Sequence, residues 1–202
     1  MAAPIRPGPD PRAQGSVRLI GGQWKRSKLP VLEAAGLRPT PDRVRETLFN
    51  WLGNDLAGWR CLDAFAGSGA LGFEAASRGA AEVLLLEQDA RLVANLRAVQ
   101  LRLDARQVRV EAADALRWMS HHRTGAFDLV LLDPPFDAGL AEPALAAAVP
   151  LLAQGGLLYL EARAALDTAT IDAQGLSLHR HTRAGHVHAH LFRRSDTAAS
   201  AA

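Results

Sequence analysis

Short apolar runs alternate with segments of helical periodicity over most of the chain from residue 60 onward. The runs predict five strands, at 61–65, 82–87, 108–111, 127–133 and 157–161. The segments between them predict four helices, at 70–78, 90–101, 115–121 and 140–152. This alternation is typical of an α/β fold of the doubly wound, Rossmann-like kind, with a mostly parallel sheet. In such sheets ligands bind at the carboxyl ends of the strands, so functional residues are expected there.

A small extension is predicted ahead of this sheet. Two stretches at 17–20 and 28–32, separated by a Gly-Gly pair, predict a hairpin. Thr40 is a suitable N-cap, and Pro41 a suitable first residue, for the helix that follows. One face of that helix is apolar, with residues at helical spacing: Val44, Leu48, Trp51 and Leu52.

A closing antiparallel hairpin is predicted after the last strand of the sheet, with its two strands at 176–182 and 186–193. These patterns divide the chain into four parts. They are a disordered leader at 1–15, a hairpin and helix extension at 16–58, the α/β domain at 59–194 and a flexible tail at 195–202. The leader is rich in proline and has no apolar segment of the kind that signal peptides carry.

Composition narrows the class of protein. No apolar stretch reaches the roughly 18 residues of a membrane span, and a single cysteine, Cys61, allows neither an intrachain disulfide nor a multi-cysteine zinc site. These features predict a cytoplasmic protein. The ratio of Lys and Arg to Asp and Glu is ten to five in residues 1–60, nine to fifteen in 61–178 and four to one in 179–202. An acidic centre between basic ends suggests a site of carboxylates with a polyanion held at its margins.

A glycine-rich segment joins the first strand of the predicted sheet to the first helix. Gly67, Gly69 and Gly72 fit the dinucleotide pattern GxGxxG, which alone is weak evidence. Asp63 lies at the end of the strand, where a carboxylate would repel a pyrophosphate. A cationic ligand without phosphate suits this position, and S-adenosylmethionine, with its ammonium and sulfonium groups, fits. A plain strand–helix turn is the alternative.

Two further acids follow the next two strands. Glu87 ends the second strand, where its carboxylate can accept hydrogen bonds from both hydroxyls of a ribose. Asp114 follows the third strand, where it can accept from an adenine amino group and is also a suitable N-cap for the helix at 115–121. Nicotinamide cofactors also carry ribose, so Glu87 does not separate them from S-adenosylmethionine. A solvated charge at a strand end is the alternative for this residue.

The fourth strand runs into Asp133-Pro134-Pro135-Phe136, and this turn decides the expected class of reaction. Two prolines stiffen the turn and remove two backbone donors, leaving Asp133 and the Pro134 carbonyl as acceptors. Acceptors suit an exocyclic amino group, because they hold its hydrogens while its lone pair turns toward a methyl group. Phe136 can stack on a base, which requires a flipped or unpaired nucleotide. A rigid exit turn without chemistry is the alternative.

With these motifs the chain resembles the class I methyltransferases that act on exocyclic amines, whose signature is Asn or Asp, then Pro-Pro, then Phe or Tyr. It resembles more closely the bacterial RsmD family, which methylates N2 of one guanine in small-subunit ribosomal RNA. The resemblance runs from about Val17 to Arg194. Its most specific stretches precede the glycine loop and are Arg18-Leu-Ile-Gly-Gly-Gln-Trp-Lys25 and Leu37-Arg-Pro-Thr-Pro-Asp-Arg-Val-Arg-Glu-Thr-Leu-Phe-Asn50.

The resemblance implies methylation of guanine N2 in 16S ribosomal RNA, within a small-subunit particle or an assembly intermediate. A monomer is expected. The expected S-adenosylmethionine-binding residues are Asp63, Phe65, Gly67, Ser68, Gly69, Glu87, Asp114 and Ala115. The expected catalytic residues are Asp133, Pro134, Pro135 and Phe136. Contacts to RNA are expected from Lys25, Arg26, Arg38, Thr40, Arg43 and Arg45, although each basic residue is about as compatible with ordinary surface.

Other classes remain open from the residues alone. GxGxxG allows a nucleotide-dependent oxidoreductase, against which Asp63 and the Asp133 turn both argue. DNA adenine or cytosine, or a protein glutamine amide, are alternative methyl acceptors, although DNA enzymes of this kind usually add a recognition domain. A non-catalytic RNA-binding protein would not need the Asp133 turn. His186, His188 and His190 alternate on one predicted strand and invite a zinc site, but a polar surface strand is favoured and no metal is expected.

Overall fold

The computed structural model describes residues 13–32, 42–122, 125–136 and 139–195. The strands in these ranges are β1 (Ala13–Arg18), β2 (Lys28–Leu32), β3 (Arg60–Asp63), β4 (Glu82–Glu87), β5 (Val108–Ala112), β6 (Phe127–Leu132), β7 (Leu152–Ala162), β8 (Leu176–Ala184) and β9 (Val187–Arg194). The helices are α1 (Asp42–Trp51), α2 (Ala70–Ser77), α3 (Ala90–Arg102), α4 (Ala115–His121), α5 (Ala141–Ala148) and α6 (Thr168–Ala173), with a 3₁₀ turn at Val149–Leu151.

Seven of these strands form one sheet, in the order β5-β4-β3-β6-β7-β9-β8. The first five are parallel to one another, and β9 and β8 close the sheet in antiparallel pairing. The chain order reverses between β3 and β6, which is the switch point where doubly wound sheets bind ligands. The predicted α/β fold class and the closing hairpin are therefore confirmed.

The apolar core lies on both faces of this sheet, which explains why its strands have nearly continuous apolar runs. In β6, Leu129 and Leu131 pack into the cluster that also contains α1, α2 and α3. Val130 and Leu132, which alternate with them, pack into the cluster with α5 on the opposite face. The rigid centre of the sheet thereby fixes where β6 ends and the Asp133 turn begins.

The N-terminal ribbon of β1 and β2 is fixed to α2 through buried polar groups. The backbone N–H groups of Ile20 and Gly21 donate to the two carboxylate oxygens of Glu74, each at 2.8 Å. Gly22 has a φ of 71°, and a Cβ there would lie 1.8 Å from the backbone oxygen of Ser77. The Gly-Gly pair therefore permits a close approach to α2 that no larger residue allows.

Several boundaries differ from the prediction. β1 begins at Ala13, where pairing with Leu32 extends the ribbon into the last residues of the predicted leader. The helix predicted at 140–152 ends at Ala148, because a 3₁₀ turn carrying Pro150 follows it and Leu152 already pairs with Phe127 in the sheet.

The pattern also missed α6, which is a six-residue helix capped by Asp167. Thr40 and Pro41, residues 1–12 and residues 196–202 lie outside the described residues. Across the described ranges, no helix combines the length and the apolar character needed to cross a membrane.

Candidate active site

Each of the five parallel strands ends in, or is followed closely by, a carboxylate. Read across the sheet from β5 to β7, these residues are Asp114, Glu87, Asp63, Asp133 and Glu161. The strands are in register, because Asp63 pairs with Leu85 and with Leu131, each two residues before the acid that ends β4 or follows β6. The carboxyl edge of the sheet therefore presents a row of acids that crosses the switch point. This arrangement suits a ligand with positive charge and several hydrogen-bond donors.

The glycine loop runs from the end of β3 to the start of α2 and bends back over the end of β4. The backbone N–H of Ala66 donates to the Leu86 carbonyl at 2.9 Å, and that of Gly67 donates to Oε2 of Glu87 at 2.9 Å. Gly67 and Gly69 have φ angles of 52° and 80°, in the left-handed region that favours glycine. The loop thus holds its backbone close to the acid that was predicted to bind ribose.

Glu87 is half-buried, and both of its carboxylate oxygens are positioned by backbone donors. Oε2 accepts from Gly67 and Oε1 accepts from the N–H of Asp89, each at 2.9 Å. Each oxygen keeps a second lone pair, so the carboxylate can still accept hydrogen bonds from a ligand's hydroxyls. Its orientation is fixed before any ligand arrives.

Asp63 is an acid at this edge whose pKa is shifted by its surroundings. Its side chain is buried, with Oδ2 accepting from the N–H of Gly72 at 2.9 Å, while Oδ1 has no hydrogen-bond partner among the described residues. Burial, helped by the negative charges of Asp133 and Glu87 and opposed by the hydrogen bond from Gly72, raises the pKa of Asp63 to about 7. A cation with a hydrogen-bond donor would satisfy Oδ1 and stabilise the ionised carboxylate.

Gly72 allows α2 to approach the end of β3. A Cβ at this position would lie 2.1 Å from Cδ2 of Leu85 and 3.0 Å from Oδ2 of Asp63. The third glycine of the motif therefore serves helix–strand packing, and its N–H serves the Asp63 carboxylate. The residues present fit S-adenosylmethionine, because the buried Oδ1 of Asp63, which has no hydrogen-bond partner among the described residues, suits a cationic ligand.

Asp114 caps α4, as the sequence indicated. Its Oδ1 accepts from the N–H of Arg117 at 2.8 Å, and its side chain is exposed. The predicted neighbours in the cofactor site differ in burial: Ser68 and Ala115 are buried, and Phe65 is half-buried. The N-cap role leaves a second oxygen of Asp114 for a ligand, so both predicted roles are compatible with the structure.

The turn that follows β6 places its four residues in different environments. Asp133 and Phe136 are half-buried, Pro134 is buried and Pro135 is exposed. The guanidinium carbon of Arg163 lies 5.8 Å from the centroid of the Phe136 ring. A buried proline between a half-buried acid and a half-buried aromatic ring gives an acceptor and a stacking surface on one short, stiff turn.

Three residues at the end of β7 were missed by the sequence reasoning. The hydroxyl of Tyr159 donates to Oε1 of Glu161 at 2.9 Å, and both side chains are buried. Burial, followed by the charges of Glu161 and Asp133, holds the pKa of Tyr159 well above its usual value, so its hydroxyl stays a donor. Arg163 follows them and covers Phe136. An acid at a strand end, the signal already used for Glu87, would have identified Glu161.

The residues predicted to contact RNA are not all available for that role. Lys25, Arg26 and Arg43 are exposed, while Arg38 and Thr40 lie outside the described residues. Arg45 was predicted to bind phosphate, but its side chain is fully buried. It donates to the Arg18 carbonyl at 3.0 Å and to Asp42 at 2.5 Å, and its Nη1 lies 4.0 Å from Glu74. The structure contradicts the phosphate role, because Arg45 is an internal link between the ribbon, α1 and α2.

The exposed basic residues of the ribbon border a cleft of about 330 Å³ between the ribbon and α1. Its walls carry both signs of charge and are formed by Arg18, Leu19, Ile20, Lys25, Arg26, Asp42 and Glu46. This cleft lies on the extension and contains none of the acids at the sheet edge.

Comparisons with known proteins agree with this geometry. Residues 17–193 match the family model described as Conserved hypothetical protein 95. Ribosomal RNA small subunit methyltransferase D of Escherichia coli (strain K12) is 42% identical over 188 residues, which cover 92% of this chain and 94% of that protein. The solved structure "Putative methyltransferase yhhF from Escherichia coli" has a TM-score of 0.78 and 38% identity, covering 90% of this chain and 99% of that one.

A more distant solved structure shares the fold alone. Magnesium protoporphyrin IX methyltransferase from Synechocystis PCC 6803, crystallised with bound S-adenosylmethionine, has a TM-score of 0.59 and 20% identity. The alignment covers 76% of this chain and 79% of that protein. The sheet described above is thus the class I methyltransferase sheet.

Proposed function

Since the chain belongs to the RsmD family, whose model is described as Conserved hypothetical protein 95, we propose that it methylates N2 of one guanine in 16S ribosomal RNA with S-adenosylmethionine as the methyl donor. The name of the Escherichia coli relative supports a small-subunit ribosomal RNA substrate. The guanine N2 position is a finer proposal that rests on the chemistry of the Asp133 turn.

The observation that carries this proposal is the position of Asp133 beside Asp63 at the switch point. Leu131, two residues before Asp133, pairs with Asp63, and the charge of Asp133 contributes to the raised pKa of Asp63. A donor held by Asp63 and Glu87 and an amine held by Asp133 would therefore meet at adjacent strand ends. The proximity of two reactants is itself a large part of the rate advantage of such a site.

Holding the cofactor falls to the carboxylates of β3 and β4 and to the glycine loop. When bound, S-adenosylmethionine supplies a methyl group on a positively charged sulfur. The unpartnered Oδ1 of Asp63 suits a cationic group, and the two oriented oxygens of Glu87 suit a ribose diol. Asp114 suits the adenine amino group.

Activating the amine falls to Asp133 and the Pro134 carbonyl. The lone pair of an exocyclic nitrogen is delocalised into the ring, so the nitrogen is a weak nucleophile. Two acceptors that hold its hydrogens favour a tetrahedral nitrogen, whose lone pair is withdrawn from the ring π system, and they stabilise the positive charge that forms as the nitrogen–carbon bond is made. The extra proton of the methylated nitrogen would pass to the carboxylate of Asp133, and S-adenosylmethionine would supply the methyl group while its sulfur keeps the carbon–sulfur electron pair. Phe136, covered by Arg163, offers a stacking surface for the base.

Binding the RNA falls in part to the ribbon. Lys25 and Arg26 are exposed and lie in the turn between β1 and β2, where they can contact phosphates. Arg43 is exposed near the start of α1. We propose that the substrate is a small-subunit particle or an assembly intermediate, and that the enzyme acts on it in the cytoplasm as a monomer.

The experiment that tests this function is transfer of labelled methyl from S-adenosylmethionine to a panel of acceptors. The panel contains small ribosomal subunits from a strain that lacks the gene, duplex DNA and a glutamine-containing protein extract. Label confined to ribosomal RNA is the expected result. Label in DNA or in protein would instead support the alternative acceptors, and binding of nicotinamide cofactor would support an oxidoreductase.

The Asp133→Ala variant tests the assigned role within the same experiment. We expect it to keep S-adenosylmethionine affinity within a few-fold and to lose at least about 100-fold in methyl transfer, the loss typical for one transition-state hydrogen-bond group. Asp128→Asn is a matched control on the same strand, because Oδ2 of Asp128 accepts from the N–H of Arg60 at 2.8 Å at the opposite end. Turnover in Asp133→Ala equal to that of the control would exclude this role.

A further inference from the structure

Three histidines meet on the antiparallel hairpin that closes the sheet. His181 lies on β8, and His188 and His190 lie on β9. His181 pairs directly with His190 across the strands, and His188 pairs with the neighbouring Arg183. One ring nitrogen of each histidine lies within 4.8 Å of those of the other two. The alternation along the sequence grouped His186 with His188 and His190. His186 instead lies in the turn, and the register of β8 against β9 places His181 opposite His190.

We propose that His181, His188 and His190 form a binding site for a divalent transition metal, of which zinc is the best suited. Three imidazole ligands on two adjacent strands leave a fourth, open position for water or for a ligand from outside the cluster. This site has no role in the proposed methyl transfer, and it contains none of the carboxylates of the sheet edge.

His190 carries the strongest evidence for this site. Its side chain is 1% exposed, and its Nε2 is buried without a hydrogen-bond partner among the described residues. Its Nδ1 lies 3.4 Å from the Leu160 carbonyl oxygen, which can accept a hydrogen bond but cannot donate one. A proton on Nδ1 therefore satisfies the carbonyl and leaves a bare lone pair on Nε2. Metal-binding histidines commonly have this arrangement, in which the other ring nitrogen donates to a backbone carbonyl.

The other two rings complete the ligand set. Nε2 of His181 and Nδ1 of His188 are 3.0 Å apart. Two nitrogens bound to one tetrahedral zinc at 2.0–2.1 Å are about 3.3 Å apart, so a small movement of these rings converts the pair into two ligands. His181 is exposed and His188 half-buried, which leaves both rings free enough to make that movement.

The surroundings of the cluster also bear on the charge of its rings. Burial, followed by the charge of His181, lowers the pKa of His190 to about 4, against backbone hydrogen bonds at Leu160 and His188 that raise it. Burial, followed by His181 and Arg183, lowers the pKa of His188. Arg183 is a positive charge that acts on His188, and its Nε donates to the Gly185 carbonyl in the turn.

A metal at this point would join the edge strand β8 to β9 and so protect the open edge of the sheet. The simpler alternative is a stack of neutral rings without metal, since the centroids of His181 and His190 are 4.6 Å apart with an interplanar angle of 25°. The two states predict different results for metal titration, and the difference can be measured on the full chain without substrate.

The test is titration of the tag-free, chelator-treated protein with Co²⁺, followed by visible absorption, and with Zn²⁺, followed by calorimetry. We expect one equivalent of Co²⁺ to give the intense bands of a four-coordinate ion and one equivalent of Zn²⁺ to abolish them. Free zinc at about 100 times its Kd should raise the Tm by roughly 5–10 °C.

Two single variants separate a built site from binding to scattered surface histidines. His181→Ala removes an exposed ligand without opening the core, and we expect it to weaken zinc binding by at least about tenfold and to abolish the cobalt bands. His186→Ala, which removes an exposed histidine of the same hairpin, should bind as the wild type does. Absence of one-to-one binding in the wild type, or equal affinities in the two variants, would overturn the proposal.

Discussion

Replacing Glu74 with alanine tests whether the N-terminal ribbon is held to the α/β domain through one buried carboxylate. The carboxylate accepts from two backbone N–H groups, those of Ile20 and Gly21, at 2.8 Å each. It also accepts from Nε of Arg78 at 2.7 Å and lies 4.0 Å from Nη1 of Arg45. The side chains of Glu74 and Arg45 are fully buried. The substitution therefore leaves two backbone donors without this acceptor and removes the counter-charge of Arg78, whereas Arg45 keeps its ion pair with Asp42.

The expected loss follows from these contacts. Breaking a buried ion pair by removing one partner costs about 3–5 kcal/mol, because the remaining charge stays buried and unpaired. Each kcal/mol lowers the Tm of a domain of this size by roughly 2–4 °C, so Glu74→Ala should lower it by about 6–20 °C. Glu74→Gln keeps the shape and one acceptor oxygen, and its loss should be smaller.

The assay is urea unfolding followed by tryptophan fluorescence, with limited trypsin digestion as a local readout. Glu82→Ala is the matched control, because Glu82 forms an ion pair with Arg60 at 3.2 Å while both side chains are largely exposed. An exposed pair contributes about 0–1 kcal/mol. Faster cleavage after Lys25 should accompany the loss in Glu74→Ala. If Glu74→Ala and Glu82→Ala unfold within about 1 kcal/mol of each other, the carboxylate does not hold the ribbon.

Two further predictions concern the site and the RNA surface. Because burial raises the pKa of Asp63 to about 7, the folded protein holds this proton more tightly than the unfolded chain does. The contribution of Asp63 to the free energy of unfolding is therefore present below about pH 4 and is lost as the pH rises through about 7. Urea unfolding of the wild type should give a lower free energy of unfolding at pH 8 than at pH 5, and Asp63→Asn should abolish this difference. Lys25→Ala should weaken ribosomal RNA binding and reduce the salt dependence of log Kd by about one, whereas Arg106→Ala, which removes a cation paired with Asp104 outside the ribbon, should leave both unchanged. A salt dependence equal in the two variants would remove Lys25 from the RNA surface.

The strand ends could be predicted from sequence because two local signals agree there. Apolar runs located β3, β4 and β6, and the residues that end them, Asp63, Glu87 and Asp133, stand in recognisable motifs. Glu161 ends a strand in the same way, but no motif surrounds it. Its partner Tyr159 is two residues away on the same face of β7, which becomes informative only once the strand is known to lie beside β6.

Long-range partners explain the errors. The prediction that Arg45 binds phosphate rested on its charge alone. Because Arg45 lies three residues before Leu48, helical spacing already places it on the buried face of α1. The acid that accommodates it, Glu74, lies on another helix, and the sequence gives no sign of their contact. The same holds for His181, because the register of β8 against β9 decides which histidines share a site.

The account is tested most directly by the identity of the methylated nucleoside. Small subunits that have reacted with the enzyme and labelled S-adenosylmethionine are digested to nucleosides, and the label is assigned by chromatography and mass spectrometry. The Asp133 turn predicts N2-methylguanosine as the labelled product, at one position of 16S ribosomal RNA. Label in 1-methylguanosine or 7-methylguanosine would contradict it, because neither ring nitrogen has the two hydrogens that Asp133 and the Pro134 carbonyl are proposed to hold.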